Sequence, residues 1–148
     1  MRVLIAEEEL DVVEFLRTYF FRRGHEVFVA ATAKEAMGWL QHSAADLALV
    51  DLELPREGGR VVIQAVVKRQ FPTRIIGIGA CRDSQTQREL VACGLSGCLF
   101  KPVFARDLDA LFARPVWQGE LSQASHGDSH PLPWKSRGMD GKEGKVGR

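Results

Sequence analysis

Residues 46–59 read DLALVDLELPREGG. The run DLALV (46–50) reads as a strand that ends at the acid Asp51. A loop holding Pro55 and Gly59 separates it from Val61 to Gln70, which is helical. The same strand-then-helix unit repeats outward in both directions. Toward the N-terminus, RVLIA (2–6) is a short apolar run ended by acids. From Asp11 to Arg23, the apolar residues Val12, Leu16, Tyr19 and Phe20 fall at helical spacing, and Gly24 is placed to close that helix. HEVFVA (25–30) is strand-like, and Thr32 with Glu35 has the spacing of a capping box opening a helix through about Gln41. Toward the C-terminus, RIIGIG (74–79) is a strand weakened by Gly77 and Gly79. Ser84 to Ala92 is helical with Gly94 as its stop, GCLF (97–100) is a short strand, and Ala105 to Ala113 is a helix. Five βα units within about 114 residues mean an α/β fold, a parallel sheet covered by helices on both faces with right-handed crossovers. Sites in such sheets form outside the carboxyl ends of the strands, at the switch point in strand order.

Composition agrees with one such domain and a remainder. The chain has 148 residues, 45% hydrophobic and 26% charged, which excludes a wholly disordered or collagen-like protein. No stretch approaches the roughly 18 apolar residues of a membrane span. The start, MRVLIAEEEL, lacks the long apolar region of a signal peptide, so the expectation is a cytoplasmic chain with no membrane association. A net charge of +1 argues against bulk attraction to nucleic acid or anionic lipid. Cys81, Cys93 and Cys98 form no CxxC pair and read as buried or free thiols. Residues 1–114 form the expected domain. Pro115 to Arg148 holds six of the fourteen glycines and no sustained apolar period, and is expected to be a disordered or weakly ordered tail carrying Trp117 and Trp134.

The strand ends carry the chemistry. Glu7 and Glu8 follow the first strand, Asp51 ends the third, and Lys101–Pro102 follows the fifth. Three carboxylates converging in one crevice repel each other unless a cation joins them, and hard oxygen donors suit Mg²⁺. A lysine opposite them supplies a donor for an anion such as a phosphoryl group. The turn after the first strand is AEEEL, not the glycine-rich turn of a dinucleotide or P-loop site.

On these motifs the chain resembles the receiver domains of two-component response regulators, the chemotaxis-regulator type, over about residues 2–113. DLALVDLELPREGG resembles the phosphoacceptor strand and its loop, with Pro55 four and Gly59 eight residues after Asp51. CGLSGCLFKP resembles the segment leading into the fifth strand and its Lys-Pro end. The resemblance implies a flavodoxin-like (βα)5 sheet of strand order 2-1-3-4-5. It implies Asp51 as phosphoacceptor, and Mg²⁺ held by Glu7, Glu8, Asp51 and the backbone carbonyl of Glu53. It further implies Lys101 on a phosphoryl oxygen, the Ala80 backbone N–H as a phosphoryl donor, and a cis peptide between Lys101 and Pro102. The implied partners are a histidine kinase or phosphotransfer protein and an unknown downstream protein, in a monomer or weak homodimer without direct nucleic-acid binding.

Departures from the family pattern are equally specific. Both members of the acidic pair are glutamate where the family usually carries aspartate at the second position and often at the first. Gly79 stands where the family carries Ser or Thr, and Cys98 where it carries a switchable aromatic residue. Two readings follow. One is a stand-alone receiver whose only catalysis is its own phosphorylation and dephosphorylation. The other is an atypical pseudo-receiver acting as a phosphorylation-independent binding or scaffold module. A metabolic enzyme is not expected, because no motif specifies a small-molecule substrate.

Overall fold

The computed structural model describes residues 1–56, 58–80 and 84–113. The expected tail from Pro115 to Arg148, with Trp117 and Trp134, lies outside the described residues, as does Cys81. Ten elements alternate along the chain: β1 (Arg2–Ala6), α1 (Leu10–Phe21), β2 (Glu26–Ala30), α2 (Ala33–His42), β3 (Leu47–Asp51), α3 (Gly59–Lys68), β4 (Arg74–Gly79), α4 (Ser84–Ala92), β5 (Gly97–Phe100) and α5 (Ala105–Ala113). The strands form one parallel sheet in the order β2-β1-β3-β4-β5. The order reverses at β1, so the ends of β1 and β3 flank the switch point.

Alternation along each strand builds two cores. Leu4, Ala6, Ala48, Val50 and Ile75 face α2, α3 and α4, meeting Ala36, Leu40, Val62, Ile63, Val66 and Leu90. Val3, Ile5, Leu47, Leu49, Ile76, Ile78 and Leu99 face α1 and α5, meeting Leu16, Tyr19, Phe20 and Leu108. Each fully buried Leu or Ile contributes on the order of 2 kcal/mol through the apolar area removed from water. All five residues of β3 are buried, which explains its unbroken apolar run.

Helix ends show where local signals sufficed. Gly24 takes φ 76° after α1, its N–H donating to the Phe21 carbonyl and the His25 N–H donating to the Phe20 carbonyl. That is a Schellman closure, and it ends the helix where the glycine predicted. Thr32 caps α2 by accepting from the Glu35 N–H at 3.2 Å, while Glu35 accepts from the Ala31 N–H at 2.9 Å. By contrast, α3 lies two residues earlier than the spacing predicts, over Gly59–Lys68 rather than Val61 to Gln70. Its closing residue is Gln70, held at φ 52° with the Phe71 N–H donating to the Val66 carbonyl. A non-glycine residue in that conformation leaves no stop signal in the sequence.

A polar tie joins α1 to α5. The Tyr19 hydroxyl donates to Asp109 Oδ1 at 2.6 Å, and the Arg23 guanidinium covers the Tyr19 ring at 3.6 Å from its centroid. Burial and then the Asp109 bond push the Tyr19 hydroxyl up from its ordinary 10.0 to about 12, with Arg23 opposing. The Tyr19→Phe variant is expected to lose about 1 kcal/mol at neutral pH through the missing hydrogen bond. A raised folded pKa means the stabilisation is complete below the unfolded value of 10.0 and fades as pH rises toward about 12. Urea unfolding followed through that window should show the difference between wild type and variant shrinking; a constant difference would contradict it.

Candidate functional site

The carboxyl ends of β1, β3 and β5 meet at one edge of the sheet. The Glu7 N–H donates to the Ala30 carbonyl at 3.0 Å and the Lys101 N–H to the Gly79 carbonyl at 3.0 Å, so both residues extend the ladders by one step. Asp51 is the last residue of β3, in register with Ile78. Glu7 is 0% exposed and Asp51 4%. The peptide bond between Lys101 and Pro102 is cis.

Lys101 Nζ is the meeting point. It donates to Asp51 Oδ2 at 3.1 Å and to Glu9 Oε1, and stands 3.1 Å from Glu7 Oε2. The last contact is an ion pair without hydrogen-bond alignment, so Glu7 Oε2 is buried with no hydrogen bond. Burial alone would pull the Lys101 ammonium down, but Glu9, Glu7 and Asp51 outweigh it and hold the group above the usual lysine range. Burial pushes the Glu7 carboxyl up, against the opposing pull of the Glu9 amide and Lys101. Asp51 Oδ1 accepts from the Glu53 N–H at 2.8 Å, which turns the chain away from the strand.

The acidic run after β1 does not divide as the sequence suggests. Glu7 Oε1 accepts the N–H groups of both Glu8 and Glu9 at 2.9 Å. The chain therefore folds around the Glu7 carboxylate as α1 begins. Glu8 is exposed, and its carboxylate stays outside the cluster that Glu7, Glu9 and Asp51 form, with oxygens within 4.8 Å of one another. The sequence placed Glu8 with Glu7 and Asp51; here the Glu9 carboxylate lies beside them and Glu8 is exposed. Glu9 occupies the N-cap position of α1, and its side chain makes no capping bond. Glutamate is a poor N-cap residue, and that mismatch was the available signal.

The other expected positions lie around this edge. Glu53 is exposed in the turn after Asp51, and Ala80 is exposed just beyond β4. Gly79 pairs with Phe100, and Cys98 with Gly77. Leu52 lies over Gly79 and, together with Leu95, over Gly77. A Cβ at Gly79 would lie 3.1 Å from Leu52 Cδ1, and one at Gly77 2.6 Å from Leu95 Cδ2 and 3.2 Å from Leu52 Cδ2. Cys98 is half-buried against the α2–α4 core, and burial pushes its thiol up. A leucine side chain thus occupies the neighbourhood where the family pattern has a hydroxyl.

Comparison with known proteins agrees with this fold. A family model, the response regulator receiver domain, matches residues 3–113. The chain belongs to that family, whose members are signalling modules of two-component systems. It is 30% identical over 110 residues to the transcriptional regulatory protein PhoP of Escherichia coli K12, covering 74% of this chain and 49% of PhoP. It is 27% identical over 127 residues to the probable C4-dicarboxylate response regulator DctR of Priestia megaterium, covering 84% and 56%. The chain thus spans about half the length of these curated relatives. Among solved structures, the receiver domain of the TMAO respiratory response regulator TorR superposes with a TM-score of 0.68 at 25% identity, covering 78% of this chain and 96% of that one. The Vibrio cholerae chemotaxis protein CheY4 shares the fold, with a TM-score of 0.68 at 23% identity over 75% of this chain and 94% of that one.

The glycine eight residues after Asp51 has a direct structural cause. A Cβ at Gly59 would overlap the Asp51 carbonyl oxygen, because the start of α3 presses against the end of β3. Gly59→Ala is expected to cost about 2 kcal/mol or more through overpacking against backbone. Urea unfolding would measure it, and a change within experimental error would rule out so close an approach.

Proposed function

We propose that this receiver accepts a phosphoryl group on Asp51 and passes the signal on by protein contact. The observation that carries the reading is Lys101 Nζ at 3.1 Å from Asp51 Oδ2, with the buried Glu7 carboxylate beside them. A carboxylate oxygen of Asp51 attacks phosphorus, forming an O–P bond. The bond from phosphorus to the donor breaks, and its electron pair leaves with the donor, a phosphohistidine imidazole or a small phosphodonor's leaving group. The Glu53 N–H holds Asp51 Oδ1 in place, and Lys101 supplies positive charge to a phosphoryl oxygen. The exposed Ala80 N–H is a second donor at the same edge.

The donor set fits Mg²⁺. Glu7 Oε2 is buried without a hydrogen bond, and Asp51 adds a second hard oxygen. Glu7, Asp51 and the carbonyl of Glu53 would hold the ion, which when bound offsets negative charge as phosphoryl meets carboxylate. The proposed partners are a histidine kinase or phosphotransfer protein and an unidentified downstream protein, in the cytoplasm. The domain boundary near residue 114 belongs to the same proposal.

Leu52 over Gly77 and Gly79 favours a second reading, a scaffold that works without phosphorylation. With no hydroxyl at residue 79, a phosphoryl group has fewer differential contacts with which to shift a conformational equilibrium. Incubation with a small phosphodonor, read by intact mass, separates the two. The expected result is a gain of one phosphoryl group that requires Mg²⁺ and vanishes in Asp51→Asn. No adduct in the wild type, with no Mg²⁺ binding, would leave the scaffold reading standing.

A further inference from the structure

We infer that two copies of this chain pair through the outer face of α1, antiparallel about a two-fold axis. The inner side of α1 is committed to the fold. Leu16 and Phe20 face the sheet, and Tyr19 and Arg23 reach Asp109 on α5. Leu10, Glu14, Arg17 and Phe21 follow at steps of four, three and four residues, so they share one stripe of the helix. All four are exposed. Leu10 at 81% and Phe21 at 72% are the two most exposed large apolar side chains among the described residues. Two such groups on one stripe mark an interaction face, where scattered apolar residues would not. Between them, Glu14 and Arg17 form no salt bridge among the described residues.

The order of the four residues points to a second copy as the occupant. In an antiparallel pair of α1 helices, Leu10 meets Phe21 of the second copy, and Glu14 meets Arg17 of the second copy. Symmetry makes each contact twice. Steps of four and three residues are also the spacing of a coiled-coil seam. Apolar contacts close both ends of this seam, and opposite charges fill its middle. A parallel pair would set Glu14 against Glu14 and Arg17 against Arg17, and like charges so placed repel. The rest of the helix has the same asymmetry. Asp11 and Glu14 lie in its first half, Arg17 in its second, and Arg22 directly after its end. Antiparallel pairing lays the acidic end of one copy along the basic end of the other. With 12 residues, α1 is about 18 Å long. One such helix against its copy buries less than the roughly 1,200 Å² of a stable complex, so the pair is a weak, concentration-dependent dimer.

The test is sedimentation equilibrium of the full chain from about 10 μM to about 1 mM, a range suited to weak association. It compares wild type, Glu14→Arg, Arg17→Glu and the double variant that exchanges the two charges. Thermal melts check that all four are folded. Wild type is expected to move from monomer toward dimer across the range. Each single reversal sets like charges face to face and is expected to weaken the dimer about tenfold or more. The double variant restores opposite charges and is expected to recover the wild-type dissociation constant to within about threefold. Single variants that dimerise as well as wild type, or a double variant as weak as the singles, overturn the inference, because the dimer then forms through another face. A wild type that stays monomeric throughout also overturns it and leaves the stripe to a different protein.

Discussion

One ammonium group holds three carboxylates together at the edge of a parallel sheet. Glu7 and Asp51 are buried there at 0% and 4% exposure, and the side chain of Lys101 is 22% exposed. Two acids so close and so dry repel each other, and burial raises the cost of charging them. Lys101 reaches them although β5 lies at one end of the strand order with β4 between it and β3. The long lysine side chain spans that distance from the strand end. Everything else at the edge follows from keeping this arrangement in place: the turn stapled by Glu53 onto Asp51, the turn wrapped around Glu7, and the tight start of α3 at Gly59.

The same edge shows an exchange of one kind of packing for another. Gly77 and Gly79 remove two side chains from the end of β4, and Leu52 fills the room at Gly79 and, with Leu95, at Gly77. The two glycines lose more chain entropy on folding than other residues would and make no side-chain contacts of their own. Leu52 offsets part of that by packing against the α2–α4 core, where Cys98 also rests. The residues that depart from the family pattern are therefore mutually consistent. A hydroxyl side chain at residue 79 would need Leu52 to move.

The acid run after β1 has a similar logic. With glutamate at residue 7, the side chain is long enough to bend back and accept two backbone N–H groups at the start of α1. One oxygen is thereby committed to the fold, and the other is left facing Asp51 and Lys101. A single side chain both begins a helix and lines the site, so the chemistry at this edge is tied to the geometry of the turn.

Much was legible in the residues alone. The repeated strand-and-helix pattern, the unbroken apolar run of β3 and the capping signals at Gly24 and Thr32 specify local structure, because they act within one or two turns of chain. Asp51 and Lys101 were legible for a different reason: a parallel βα fold places every strand end on one edge, so residues distant in sequence become neighbours. That Glu9 rather than Glu8 lies beside Glu7 and Asp51 was not legible. That depends on Glu7 bending to bind the next two amides, a choice made only when β1 is seated in the sheet. The early start of α3 and the place of Leu52 were hidden likewise. Both are set by contacts between segments, Gly59 against the Asp51 carbonyl and Leu52 over β4, and such contacts leave no periodic trace in a sequence.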